Sequence, residues 1–338
     1  MKQFLVAMVC LMMLVSCGGG LTRSTEINVL CSGHEQRCMA SAKLFGEKYG
    51  IKVNFVRMST GEALARLSER KNDPEFDVWW GGPIDSYIIA KEEGLFSAYN
   101  SPSYVNLADE KYKDPDNFWV GTYVGPLAFC TNTDWLKANP TVTPPQSWAD
   151  LLKPDFAGQI MIAHPATSGT AFTFVSTILQ LRGEVEGWNY LHQFSDQVAQ
   201  FTKAGTTPCE LAGKGEAAVG IIFAPAILEN IHDRKLPLTL TFPEEGTGYE
   251  IGGLAVMAGA KHLDAAHLWV DWLITPEVQG EYEIFGYQGV SVKGVTLRYP
   301  ELLQVKLIDY DFIWSADHKD EFVKKFTQEI ATADNLLK

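Results

Sequence analysis

The chain has 338 residues, 28 of them Lys or Arg against 41 Asp or Glu for a net charge of −13, and 46% are hydrophobic. That much apolar side chain with moderate charge argues against intrinsic disorder, and the length suits about two domains. The acidic excess argues against nucleic acid as a partner, because phosphate backbones are bound through Lys and Arg that displace counterions.

The start of the chain stands apart from the rest. Met1-Lys2-Gln3 is a short positive segment, Phe4 to Val15 is apolar, and Leu14-Val15-Ser16-Cys17 closes the run. It is too short to span a bilayer and reads as a signal peptide over residues 1–16. Leu-Val-Ser-Cys resembles the bacterial lipobox, in which the Cys becomes the first residue and its thiol carries a diacylglycerol. Residues 17–25, opening with Gly18, Gly19 and Gly20 behind Cys17, then form a lipidated, flexible tether. The expected location is periplasmic or cell-surface, membrane-anchored through lipidated Cys17. Cys31, Cys38, Cys130 and Cys209 are left in an exported, disulfide-permissive setting, with three pairings open. A metal cluster is not indicated: C-x-x-C and H-E-x-x-H are both absent, and His34-Glu35-Gln36-Arg37-Cys38 fails the latter at its last position.

From residue 26 short β-branched runs alternate with amphipathic stretches, which predicts an α/β layer fold. Ile27 to Cys31, Lys52 to Met58 and Phe76 to Trp79 read as strands, with helices over Glu35 to Tyr49 (closed by Gly50), Glu62 to Lys71 and Ile84 to Glu93. Ser101 to Phe118, with Pro102, Pro115 and several Asp, reads as surface loop. Tyr123 to Thr131 is a hydrophobic strand, a helix starts at Trp148, and Ile160 to Ala163 is a further strand. Helices over Thr170 to Leu181 and Gly187 to Phe194 and a strand over Ala218 to Phe223 complete a second set. Pro243 to Gly253, rich in Gly, reads as a flexible crossover; it does not match G-x-G-x-x-G, so dinucleotide binding is rejected.

Ligands of open α/β sheets sit beyond the carboxyl ends of strands, where helix N-termini offer free amides to negative groups. Four such junctions carry small and hydroxyl residues: Ser32-Gly33, Ser59-Thr60-Gly61-Glu62, Thr167-Ser168-Gly169-Thr170 and Gly205-Thr206-Thr207-Pro208. Ser59 with Glu62 fits a capping box, as does Thr207 with Glu210, placing Pro208 at the first helical position. Together the junctions predict a site for an oxyanion or polyol. Trp79-Trp80-Gly81-Gly82-Pro83 adds aromatics at the end of the third strand, and Trp80 is the candidate to wall a cleft.

The blocks Val78 to Pro83, Ser147 to Pro154, His164 to Thr170, Gly215 to Ile221 and Glu245 to Gly252, in this order, resemble one family. It is the type II periplasmic substrate-binding proteins of ABC transporters, in the branch of ferric-iron, sugar-phosphate and phosphonate binders. The resemblance runs from about residue 26 to 300 and implies two α/β lobes joined by two crossover strands and a hinge. Lobe 1 would hold residues 26–124 and 255–305, lobe 2 residues 125–254 and 306–338, with crossovers near Tyr123 to Phe129 and Tyr249 to Val256. It further implies a monomeric receptor that captures a small solute and hands it to an inner-membrane permease, with no cofactor.

Residue by residue, Thr167, Ser168, Gly169 and Thr170 match the family's anion-holding helix start, Ser32 and Thr60 its first-lobe contacts, and Glu250 a carboxylate that grips hydroxyls. Ferric-iron members present two adjacent tyrosines where this chain has Ala224 and Pro225, and the His-Asp pair of sugar-phosphate members is missing there too. The expected ligand is a phosphorylated or phosphonate-type anion. The alternative is ferric iron held by His34, Tyr123, Tyr249 or Glu250, with a synergistic anion. An exported enzyme on the same fold is the second alternative, with Cys209 at a predicted helix start as the only nucleophile suggested. Ser168 has no G-x-S-x-G context and no P-loop occurs, so the chain reads as a receptor and not an enzyme.

Overall fold

The computed structural model describes residues 24–303 and 305–331. The expected signal peptide, lipidation site Cys17 and tether, up to Arg23, lie outside the described residues, as do residues 332–338. Ser24 already belongs to the folded body, its backbone N–H donating to Asp264 at 2.9 Å.

Three β-α units open the fold: β1 (Glu26–Cys31), α1 (Glu35–Tyr49), β2 (Lys52–Arg57), α2 (Thr60–Glu69), β3 (Val78–Pro83) and α3 (Asp85–Glu92). Gly50 ends α1 with φ +68°, a left-handed cap open to glycine, and the Ser59/Glu62 capping box starts α2. β1 pairs in parallel with β2 on one side and β3 on the other. β3 runs on through Gly81 and Gly82, past the end at Trp79 that the sequence predicts. Both have positive φ, and a Cβ on Gly82 would lie 2.4 Å from the Thr60 hydroxyl. After β4 (Phe96–Ser97), the expected surface loop contains two 3-10 turns and is tied down. Asp114 is buried and accepts from Lys91 Nζ at 2.8 Å, and Leu107 enters the core.

β5 (Val120–Asn132) is buried along its whole length and links the two halves of the sheet. It leads into α4 (Thr133–Ala138), and the helix expected at Trp148 is a single 3-10 turn over Ala149–Leu152. Then come β6 (Ile160–Ala163), α5 (Gly169–Arg182), α6 (Glu184–Ser195), β7 (Val198–Thr202), α7 (Thr207–Gly213), β8 (Val219–Phe223), α8 (Ala224–His232) and β9 (Leu238–Thr241). β10 (Tyr249–Met257) returns the chain, followed by α9 (Leu263–Leu273), α10 (Pro276–Gln279), α11 (Tyr282–Phe285), β11 (Gly289–Val290), α12 (Phe312–Asp317) and α13 (Lys319–Glu329).

The strand order is β2-β1-β3-β10-β5-β8-β6-β7. The first half of β5 pairs antiparallel with β10 and its second half antiparallel with β8 and β9, while β6 runs parallel to β7 and β8. Two parallel-stranded halves are thus joined through antiparallel β5 and β10, and helices cover both faces, as buried parallel strands require. One core gathers Val29, Trp80 and Phe45 with Trp269 and Phe285. Another gathers Trp148, Phe174 and Ile221 with Phe322 and Phe326 of α13, so the C-terminal helix packs beside α5.

The segment before β10 is not a loose crossover. Trp148 Nε1 donates to the Gly246 carbonyl at 2.9 Å, and the buried Thr247 hydroxyl donates to the Leu127 carbonyl at 3.0 Å. The cysteines pair as Cys31–Cys38 and Cys130–Cys209. Cys209 is therefore no free nucleophile. Among the described residues no helix is long and apolar enough to cross a membrane.

Candidate functional site

A cavity of about 450 Å³ lies beyond the carboxyl ends of β1, β3 and β8. Among the residues around it are Ser32, Gly33, Thr60, Thr170, Gly205, Thr206 and Glu250, each at or beside a junction or position the sequence singles out. Their convergence follows from the fold, because a parallel α/β half directs every strand-to-helix loop to the same edge.

Thr206 reaches the wall for a reason the sequence obscured. It is the residue before α7, in helical conformation and with no side-chain capping bond, so its hydroxyl is free. The Thr207/Glu210 capping box does not form, since Thr207 is already inside the helix and Glu210 pairs with Arg234 at 2.6 Å.

Other expected residues sit just behind the wall. Ser168 caps α5, its hydroxyl accepting from the Ala171 N–H at 3.3 Å, and Thr167 turns its hydroxyl to the Lys203 carbonyl at 2.7 Å. Gly61 and Gly169 act at the seam between the halves. The Gly61 N–H donates to the Thr167 carbonyl at 3.0 Å, and a Cβ on Gly169 would stand 2.8 Å from Pro83 Cδ. Trp80 does not wall the cleft. It is wholly buried, packed against Trp269 and Phe285, with Nε1 donating to the Thr122 hydroxyl at 3.1 Å.

The charged groups of the cavity were largely missed. Arg37, in the first turn of α1, is 7% exposed, and its Cζ lies 4.1 Å from the Tyr123 ring centroid and 5.4 Å from that of Trp80. Nε and Nη1 are sealed and have no hydrogen-bond partner. The one sequence signal was periodicity: Arg37, Ser41 and Phe45 share the buried stripe of α1, where a cation is out of place. His34 Nδ1 meets Glu229 of α8 at 3.0 Å. Burial works to raise the Glu229 carboxyl, but the His34 bond, with Arg234 and Arg37 adding to it, holds it below the usual range. Glu250, 6% exposed, is pushed up to about 8 by burial, against the opposing pull of Arg37. A carboxyl in that state keeps a proton at neutral pH and can donate a hydrogen bond.

The iron set is not assembled. Tyr123 uses its phenol oxygen to accept the Gly82 N–H at 3.0 Å, and burial raises it to about 12, against phenolate formation. Tyr249 packs away from the cavity against Phe312, centroids 5.3 Å apart. Among the described residues no three His, Cys, Asp or Glu are grouped to hold a metal ion, and Ala224 and Pro225 supply no oxygen or thiolate side chain.

The profile of a family described as bacterial extracellular solute-binding protein matches residues 86–316. An uncharacterized Haemophilus influenzae protein is 33% identical over 94% of this chain and 94% of its own length. A probable ABC transporter periplasmic-binding protein of Sinorhizobium fredii, y4fP, is 28% identical over 83% of this chain and 80% of its own. The solved periplasmic binding protein AfuA of Actinobacillus pleuropneumoniae, with exogenous fructose-6-phosphate bound, superposes with TM-score 0.86 at 35% identity, over 92% of this chain and 100% of that one. The cavity at the strand ends, the two sheet halves joined through β5 and β10, and these likenesses agree: the chain belongs to the bacterial extracellular solute-binding proteins and is a type II periplasmic solute-binding protein of an ABC importer.

Proposed function

We propose that the cavity binds a small phosphorylated anion, which the receptor delivers to its inner-membrane permease. The observation that carries this reading is the meeting of Ser32, Gly33 and Thr60 from one half with Thr170, Gly205 and Thr206 from the other around one cavity. Hydroxyls and amides at helix starts suit phosphate oxygens without requiring a compensating lysine. The fructose-6-phosphate in AfuA supports the class of ligand, while the missing His-Asp pair, replaced here by Ala224 and Pro225, argues for a different organic portion. We read residues 26–124 with 255–305 as one lobe and 125–254 with 306–338 as the other, the chain acting as a monomer that closes by a hinge. Anchoring through a lipidated Cys17 would keep it beside the permease.

Isothermal titration with fructose 6-phosphate, inorganic phosphate and ferric citrate, with phosphorus and iron analysis of the purified protein, tests the reading. Binding of a phosphorylated compound at one per chain is expected, lost in Thr170→Asp, where a carboxylate would repel the anion. Stoichiometric iron with a visible charge-transfer band, and no phosphate-ester binding, would overturn it.

A further inference from the structure

The turn between β6 and α5 serves both the cavity and the seam between the halves. Thr170 lines the cavity, and the Thr167 carbonyl accepts the Gly61 N–H. Gly169 and Thr170 are the first two residues of α5, so their N–H groups have no partner within the helix, and none outside it among the described residues. The residue that holds this turn is His164, directly after β6. Its N–H donates to the Thr202 carbonyl at 2.8 Å, and its carbonyl accepts the N–H groups of Thr167 at 3.1 Å and Ser168 at 3.0 Å. Any residue here could make those backbone bonds. The side chain adds another: Nδ1 accepts the Ala166 N–H at 3.1 Å.

A side-chain acceptor bonded to the N–H two residues on is the bond by which Asn or Asp closes a turn, and Pro165 between them suits a turn start. An accepting Nδ1 requires the neutral ring with its proton on Nε2. The surroundings favour that state. His164 is buried, its ring plane at 78° to Phe201 and 89° to Phe326, with centroids 6.2 and 5.9 Å away. Nε2 is sealed without a hydrogen-bond partner, and burial alone draws the ring below the usual histidine range. Packing among these rings would be served as well by Phe, so the Nδ1 bond is what distinguishes histidine here.

We propose that His164 is a positioning residue for ligand capture, whose Nδ1 bond fixes the turn 164–168 and with it the start of α5 that presents Thr170 to the cavity. His164 itself stands behind the cavity wall. The inference rests on the phosphate reading of the cavity and adds what orders this part of it.

The test compares His164→Phe, which keeps a ring and loses the acceptor, with His164→Asn, which loses the ring and keeps an acceptor. Thermal melting, isothermal titration with fructose 6-phosphate and with inorganic phosphate, and ligand-free hydrogen exchange over residues 166–170 are the readouts. The Phe variant should melt no lower than wild type, bind fructose 6-phosphate at least fivefold more weakly and exchange faster in the turn. The Asn variant should melt lower, through the space left between Phe201 and Phe326, yet bind within twofold of wild type. If the Phe variant does not fold, His164→Ala replaces it, and Asn must then bind at least fivefold more tightly than Ala. Affinity that follows the melting temperature, or stays unchanged without the acceptor, shows His164 to be core packing alone and overturns the proposal. A wild type that binds neither phosphate compound overturns the phosphate reading instead. Hydrogen exchange then decides His164 by itself: faster exchange in Phe but not in Asn upholds its hold on the turn, and equal exchange overturns it.

Discussion

Glu250 is the residue at which burial most changes chemistry. The folded carboxyl keeps its proton up to about 8, against an ordinary value of 4.5. Below both values it is neutral in either state and contributes nothing to pH dependence. Between them the folded state holds a proton that the unfolded chain has lost, so stability falls as pH rises, and above about 8 the loss is constant. A shift of this size is worth on the order of 3–5 kcal/mol. Glu250→Gln removes the titration and keeps the shape, so its ligand-free melting temperature should match wild type at pH 5 and exceed it by several degrees at pH 8.5. Equal differences at both pH values would show that Glu250 ionises normally. Sequence reading found Glu250 through its family block and Ser32, Thr60 and Thr170 through local strand-glycine-helix grammar. It missed Arg37 because a basic residue near a helix start reads as solvated surface; only Tyr123 and Trp80, distant in sequence, make it buried. Trp80 fails in the opposite sense, since the helices that cover its face of β3 come from residues 263–285.

At the scale of elements, the two disulfides hold two of the loops that line the cavity. Cys31–Cys38 closes a loop of separation 7 around Ser32, Gly33, His34 and Arg37, fixing the exit of β1 to the second turn of α1. Cys130–Cys209 spans a separation of 79 and ties β5 to α7, beside Thr206. On chain entropy the short bridge contributes about 2.5 kcal/mol and the long one about 4.5 kcal/mol. Paired Cys→Ser substitutions should therefore rank oppositely in two assays. Removing Cys130–Cys209 should cost more stability in urea. Removing Cys31–Cys38 should cost more affinity for fructose 6-phosphate, at least tenfold, because it frees the segment bearing Arg37. An identical ranking in both assays would mean that the short bridge does not position the site. The strands and helices that were read up to Phe223 were legible because their periodicity is local, whereas the pairing of the cysteines depended on which loops the sheet brings together.

The whole molecule carries a net charge of −13, so its long-range field opposes the proposed anion, whose affinity has to arise from short-range contacts. Such contacts require both halves at once, and in this structure the halves meet: the Gly61 N–H is bonded to the Thr167 carbonyl, with Gly169 set against Pro83 and Thr60. Gly61 separates closure from folding. It lies in the first turn of α2, where alanine is the better helix former by up to about 1 kcal/mol, yet its Cβ would stand 2.3 Å from the Ala166 carbonyl oxygen of the facing half. The obstacle is backbone, which no rotamer change relieves, so the halves must part. Gly61→Ala should leave the ligand-free melting temperature equal or slightly raised, weaken fructose 6-phosphate binding at least tenfold, and abolish the contraction of the radius of gyration that small-angle scattering should record for wild type at saturation. Full contraction with unchanged affinity in the alanine variant would mean that ligand is held without this seam, and that the meeting of the two halves at Gly61 is incidental to capture.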